Sequence, residues 1–233
     1  MGRKMQFYVL KVQVGAPHET RYNEMKPVQE GEAPICPACG GYVGMIPTLP
    51  PFRAELVAYG KELGDVAFGP GDNLLVSDRF RQAWESANLR GLVFSPLERI
   101  RIRPARLGKK PATYFHVAPQ LFGTQVDLER SRLEHEELIQ CNKCKYGGLL
   151  LSIRGFAIDE KSWTGEDIFR PWGLSGDIVV TDRVRKLRDD HGLTNMNLTR
   201  VEELFWDPYY RWSVDGVSPP DWHDGPDDQR AAN

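Results

Sequence analysis

Histidine and cysteine are both scarce in this chain, with five of one and four of the other in 233 residues. That shortage narrows the metal and nucleophile chemistry on offer. His18, His116, His135, His191 and His223 are scattered and read as ordinary surface or core residues rather than as bases. There is no Gly-rich phosphate loop, no G-x-S-x-G and no H-E-x-x-H, so nothing points to nucleotide, acyl-transfer or zinc-protease chemistry. The expectation is a protein that is not an enzyme. Net charge is also lacking: Lys and Arg number 30 against 32 Asp and Glu, a formal −2, which gives no global attraction to nucleic acid or an anionic membrane. Long apolar runs are missing too. The greasiest stretch, Gly148 to Ile153, is far too short to cross a bilayer. The start, MGRKMQFYVLKVQV, has Lys11 and Gln13 inside its apolar part and reads as a strand rather than a secretory signal. Gln6 stands where a myristoylation site wants Ser or Thr. These features lead to the expectation of a soluble, cytoplasmic protein, with 41% hydrophobic residues sufficient for a real core.

The four cysteines fall into two C-x-x-C pairs, "CPACGG" from Cys36 and "CNKC" from Cys141, with none left over. In a cytosolic chain such pairs point to metal binding or redox work more than to disulfides. A closed zinc site needs four ligands in a tetrahedron, and two C-x-x-C turns supply them. Cys36, Cys39, Cys141 and Cys144 are therefore the expected ligands of one structural Zn2+ per chain. No histidine lies near enough in sequence to complete either pair alone. Gly40 supplies the backbone freedom such a turn uses; Lys145 stands in its place in the second pair, and Lys143 and Lys145 offset thiolate charge. Rival readings remain open: a redox pair, iron in place of zinc, or a site that has lost its metal. A redox C-x-x-C opens a helix, whereas here two glycines and a strand-like run follow.

The two pairs are offset by 105 residues. "GDNLLVSDRFR" from Gly71 and "GDIVVTDRVR" from Gly176 stand the same distance apart. "YVLKV" near Tyr8 echoes "TYFHV" near Tyr114, and "FSPLERI" from Phe94 echoes "LTRVEEL" from Leu198. Self-similarity at one period is the mark of a repeat. The expected fold is α+β, a tandem duplication of two similar units of about 105 residues joined by a zinc-ribbon-like four-cysteine site. The units are 1–108, with the CPAC knuckle, and 109–233, with the CNKC knuckle and an acidic, aromatic tail. Within the first unit, strands are expected at 5–14, Tyr42 to Ile46, Asn73 to Val76, Leu92 to Phe94 and Ile100 to Ile102. A helix from Arg79 to about Ala87 is capped by Ser77 or Asp78, and 52–63 is expected to be helical. The second unit repeats the helix from near Asp182 to just before Gly192, while 156–168 carries no clear helix signal. The Asp78-Arg79 and Asp182-Arg183 pairs read as a capping Asp with a solvated or locally paired Arg.

A chain of this size with two widely spaced C-x-x-C motifs, the first as "CPACGG", resembles the myxobacterial double-CXXCG motif family. The segments "LLVSDRFRQAWESANLRGLVFSPL" and "IVVTDRVRKLRDDHGLTNMNL" fit the same pattern. The likeness covers most of the chain, and the knuckles are its specific part. Some members of that family are described as immunity proteins. The resemblance therefore implies a cytoplasmic antidote that binds and neutralises a Sit-type lipoprotein toxin delivered between sibling cells, acting by occlusion.

Two stretches are candidates for contact with a partner. From Leu204 the chain reads "LFWDPYYRWSVDGVSPPDWHDGPDD". Trp206, Asp207, Tyr209, Tyr210, Trp212, Asp221, Trp222 and Asp224 are the expected partner-binding residues, since aromatic anchors in an acidic field suit a basic partner such as a nuclease toxin. The bland alternative is that the aromatics pack on the second unit's core and the tail is solvated. Residues Glu98 to Lys110, "ERIRIRPARLGKK", put Arg99, Arg101 and Arg103 on one solvated strand face. That supports the second reading, a zinc-ribbon nucleic-acid-binding or regulatory protein. It is weakened by the absence of interleaved stacking aromatics and by the acidic balance of the whole.

Overall fold

The computed structural model of the chain describes residues 5–109 and 112–209. Among them the fold is mostly β with two helices. In chain order the first strands are β1 (Phe7–Lys11), β2 (Thr20–Glu24), β3 (Gln29–Glu30), β4 (Thr48–Leu49), β5 (Phe52–Ala58), β6 (Val66–Phe68) and β7 (Leu74–Ser77). Helix α1 (Asp78–Ser86) leads to β8 (Ser95–Arg103), β9 (Tyr114–Val117), β10 (Leu121–Asp127), β11 (Leu133–His135), β12 (Leu150–Arg154) and β13 (Ala157–Ile158). Then come β14 (Ile168–Trp172), β15 (Val179–Thr181), α2 (Asp182–His191), β16 (Asn197–Arg200) and β17 (Phe205–Trp206).

Six strands close a barrel in the order β2-β5-β8-β9-β7-β6, and six form a sheet in the order β13-β10-β14-β15-β1-β16. The pairings cross the middle of the chain in both directions. Strand β1 lies between β15 and β16, with Phe7 opposite Thr181 and Tyr8 opposite Val180. Strand β9 lies between β7 and β8, with Tyr114 opposite Ser77 and Phe115 opposite Val76. Each half thus contributes one interior strand to the other's sheet. The largest core follows from this. Tyr8 and Leu10 pack with Val66, Val76, Phe80, Trp84, Val117, Ile168, Val180 and Leu187, so one hydrophobic interior spans both halves.

The helices form where expected. The side chain of Ser77 accepts from the Phe80 N–H and caps α1, satisfying one of the free donors of the first turn. Phe80, Ala83 and Trp84 are its buried residues, at the spacing that puts them on one face. Helix α2 stops at Gly192, which takes φ 58°, a left-handed cap that glycine adopts without strain. The expected helix at 52–63 is not there. Phe52, Ala54 and Leu56 are buried while Arg53 and Glu55 are half-exposed, a period of two. Pairing with β2 and β8 on either side overrides the helix propensity of Ala, Glu and Leu. Residues 42–46 and 92–94 are not strands either. Only Tyr42 bridges, to Ile35, because the chain there is wrapped around the first knuckle.

The aspartates of the Asp-Arg pairs are not the caps: Ser77 and Thr181 hold the N-cap positions, while Asp78 and Asp182 accept from Arg81 and Arg185 one turn on. Arg79 reaches back to the buried Asp65 and donates to the Gly192 carbonyl at the end of α2, at 3.0 Å. Arg183 pairs with the buried Asp167 at 2.9 Å and donates to the Ala87 carbonyl at the end of α1, at 3.0 Å. Ser77 and Thr181 hydroxyls donate to the same two carboxylates, and the backbone N–H groups of Thr194 and Arg90 complete them. The arginines are therefore neither merely solvated nor local. Each guanidinium sits at the negative C-terminal end of the opposite helix and locks the two helices together.

Burial alone would raise the Asp65 carboxyl, but hydrogen bonds from Arg79, Ser77 and Thr194 outweigh it and hold the group below the usual carboxylate range. A depressed folded-state pKa contributes stability above the unfolded value of about 3.9 and loses it as pH falls through the folded value. Asp65→Ala is expected to cost about 1–3 kcal/mol at pH 7, the penalty of leaving the Ser77 and Thr194 donors without their buried acceptor, since the half-exposed Arg79 regains water. The gap between wild type and variant should narrow when denaturant unfolding is repeated near pH 3. An equal gap at both pH values would remove the ionised carboxylate from the account.

Candidate metal centre

The knuckles are loops outside the main sheets, and they meet. All four Sγ atoms lie within 4.8 Å of one another. Cys36 Sγ stands 3.9 Å from Cys141 Sγ, and Cys39 Sγ 3.7 Å from Cys144 Sγ. Zinc–sulfur bonds of about 2.3 Å in a tetrahedron place sulfurs about 3.8 Å apart, so the cluster has the size of a four-thiolate site. The thiols are free, and their separations are far beyond the about 2.05 Å of a disulfide.

Each knuckle is built by the same turn. Gly40 N–H donates to the Cys36 carbonyl at 2.8 Å, and Lys145 N–H donates to the Cys141 carbonyl at 2.9 Å. Both residues take positive φ, 74° for Gly40 and 57° for Lys145. The glycine does so freely and the lysine at a cost. Backbone N–H groups of Cys144 and Lys143 point at Cys141 Sγ and bring its thiol down to about 6, whereas burial pushes Cys144 up to about 12. Four sulfurs this close cannot all ionise on their own; a cation among them removes that penalty.

Cys36 and Cys144 are buried, packed with Val43 and Trp172. Trp172 ends β14, and so fixes the cluster to the six-stranded sheet. Lys143 Nζ stands over its ring at 5.2 Å. A cleft of about 290 Å³ opens alongside, lined by Tyr42, Val43, His135, Lys145, Tyr146, Trp172 and Asp177 among others. Asp177 is paired with Lys11 Nζ at 2.7 Å. The arrangement can hold a metal ion with four protein ligands drawn from two loops 105 residues apart; an ion so bound would have no open position.

No protein-family model matches the chain, and no curated protein matches it.

Three of the expected partner-binding residues are described, and they differ in exposure. Trp206 lies in β17 opposite Ile153 and packs, half-buried, against the core beneath the six-stranded sheet. Asp207 is 1% exposed, and Tyr209 is exposed. Tyr210, Trp212, Asp221, Trp222 and Asp224 lie outside the described residues. On the basic strand, the parallel register with β5 places Glu55 opposite Arg101. Glu55 binds Arg101 and Arg103 at 3.3 and 2.6 Å, and Arg53 pairs with Glu98. Arg99, Arg101 and Arg103 are exposed, as expected of a solvated face, and Arg101 and Arg103 share the one carboxylate of Glu55. His116 is buried inside the barrel, stacked on Phe52, with burial lowering its pKa to about 4; it is a neutral core residue.

One surface escaped sequence reasoning. Of twelve exposed large hydrophobic side chains among the described residues, eight belong to the knuckle loops: Ile35, Tyr42, Met45, Ile46, Leu49, Leu138, Tyr146 and Leu149. The available signal was their position. Apolar residues interleaved with cysteines and glycines, in segments with neither period two nor 3.6, have no regular face through which to bury.

Proposed function

We propose that the chain is a cytoplasmic immunity protein that carries one structural zinc on Cys36, Cys39, Cys141 and Cys144 and neutralises a cognate toxin, a basic nuclease among the candidates, by covering it. The carrying observation is the concentration of exposed apolar side chains on the two knuckles, whose cysteines meet; exposed apolar residues gathered in one region of a folded chain mark a contact site. The zinc acts through rigidity: it ties together two loops that are each closed only by short pairings of their own, so that they present one surface. An occluding interface of this kind buries about 1,600 Å² in total. The family resemblance carried by the two knuckles supports the antidote role. The ion pairs of Arg53, Arg101 and Arg103 with Glu98 and Glu55 reduce the positive charge of this face and so weaken the nucleic-acid reading.

The fold is read as a tandem copy whose units have exchanged a strand. Barrel and sheet support this. Taken along the sheet as β13, β10, β14, β15, β1 and β16, the strand order matches the barrel's β5, β2, β6, β7, β9 and β8. The two ladders Phe7–Thr181 and Tyr114–Ser77 also occupy matching places.

The test is native mass spectrometry of the tagged chain from its own host, followed by co-expression of any stoichiometric partner in a sensitive cell. The expected result is one zinc per chain, one protein partner, and survival only when both are made. Co-purified nucleic acid with no protein partner would overturn the antidote role and leave the zinc site standing.

A further inference from the structure

The knuckle surface has a charged margin that says what kind of protein it meets. Glu136 and Glu137 fold over the second knuckle. The Glu136 N–H donates to the Leu149 carbonyl and the Glu137 N–H to the Gly147 carbonyl, at 2.8 and 2.9 Å. Both side chains lie against Gly148, where an added Cβ would stand 3.2 Å from Glu137 Cγ and 3.5 Å from Glu136 Cβ. On the first knuckle, β3 pairs Glu30 with Thr48 beside Leu49, and Glu32 follows next to Gly31, which packs on Pro47 and Leu49. All four carboxylates are exposed, and none is in an ion pair among the described residues. Two lysines stand beside the cysteines. Lys143 stands over Trp172 and Lys145 lines the cleft next to Cys144. A divalent ion on four thiolates leaves a local charge of −2, which these two ammonium groups match. The surface therefore has an apolar, aromatic centre with a cleft in it and an uncompensated acidic edge.

We infer that the knuckle face is the docking surface for a basic protein, one that places an aliphatic or aromatic side chain in the cleft between Tyr42 and Tyr146 and ranges lysines or arginines against Glu30, Glu32, Glu136 and Glu137. An apolar centre supplies the lasting contact and a charged rim of opposite sign speeds encounter and excludes like-charged surfaces. The inference rests on the partner-binding reading above and names its site and the partner's chemistry. It also explains why a chain that does no evident chemistry holds a metal at its most apolar surface: the clip keeps both halves of the contact face in register.

The test uses the full, zinc-loaded chain, labelled with nitrogen-15, and two blocked peptides of equal apolar content, Ac-Lys-Leu-Trp-Lys-Leu-Lys-NH2 and Ac-Glu-Leu-Trp-Glu-Leu-Glu-NH2. Saturable amide shifts confined to 29–49 and 135–149, given by the basic peptide alone and fading as salt rises, are the expected result. Tyr146→Asp should abolish them, with zinc content and thermal midpoint as the check on folding. Equal binding of the acidic peptide, or shifts elsewhere, overturns the proposal without any variant. Sedimentation that finds these residues engaged by a second copy of the chain overturns it as well. The antidote role fails separately: the basic peptide can bind where no toxin protection is measured, whereas protection that survives Tyr146→Asp keeps the antidote and removes this surface.

Discussion

Chelating the metal from the purified chain at neutral pH lowers its thermal midpoint by about 10 °C or more, and Cys36→Ser reproduces the loss in one step. An ion that binds only the folded chain stabilises it by about 4 kcal/mol when free metal stands a thousandfold above its dissociation constant. In a chain of this length about 1 kcal/mol shifts the midpoint by 2–4 °C. The knuckles are expected to depend on the ion more than the sheets do, because short pairings close them: a bridge from Ile35 to Tyr42 and β3 with β4 in the first, and β11 with β12 and the bonds of Glu136 and Glu137 in the second. Amide exchange should therefore quicken first at 31–47 and 136–149 on chelation, and protection of a co-expressed target should fall with it. Calorimetry with and without chelator, beside elemental analysis, measures both. An unchanged midpoint with no metal bound means that the four cysteines are not a clip.

The second large effect comes from cutting the chain between residues 108 and 109. Neither piece is expected to melt cooperatively alone, while the two mixed in equal amounts recover a single transition. The first piece lacks β9, which fills the place between β7 and β8 in the barrel. The second lacks β1, leaving β15 and β16 without the strand between them. Each loss strips a row of backbone hydrogen bonds and opens the shared core at Val117 in one case and at Tyr8 and Leu10 in the other. Unpaired interior strands of this kind also promote aggregation. Circular dichroism and gel filtration of the separate and mixed pieces decide the matter. A cooperative transition from residues 1–108 alone would make the exchanged strand dispensable.

The readable parts of this sequence were those governed by neighbours along the chain. Ser77 and Gly192 bound their helices because caps act within one turn. The cysteine cluster was legible because two turns of fixed spacing leave few other ways to satisfy four thiols. Residues 52–58 were misread because Ala, Glu and Leu favour a helix locally, while two flanking strands impose the period of two. The destination of β1 was beyond reach for a related reason. "YVLKV" and "TYFHV" are alike, so nothing local tells either strand which half to join. Arg79 and Arg183 posed the same difficulty, since their partners lie at the far end of another helix.

The place of β1 sets a schedule for making the protein. Phe7 to Leu10 are almost wholly buried in the finished fold, yet their neighbours on both sides are among the last of the described strands to leave the ribosome. With synthesis at about 5–20 residues per second, roughly 190 residues separate β1 from β16, a wait of about 10–40 s. For that interval the newborn chain carries an apolar strand with no sheet to enter, while the barrel, complete once β9 emerges, can close without it.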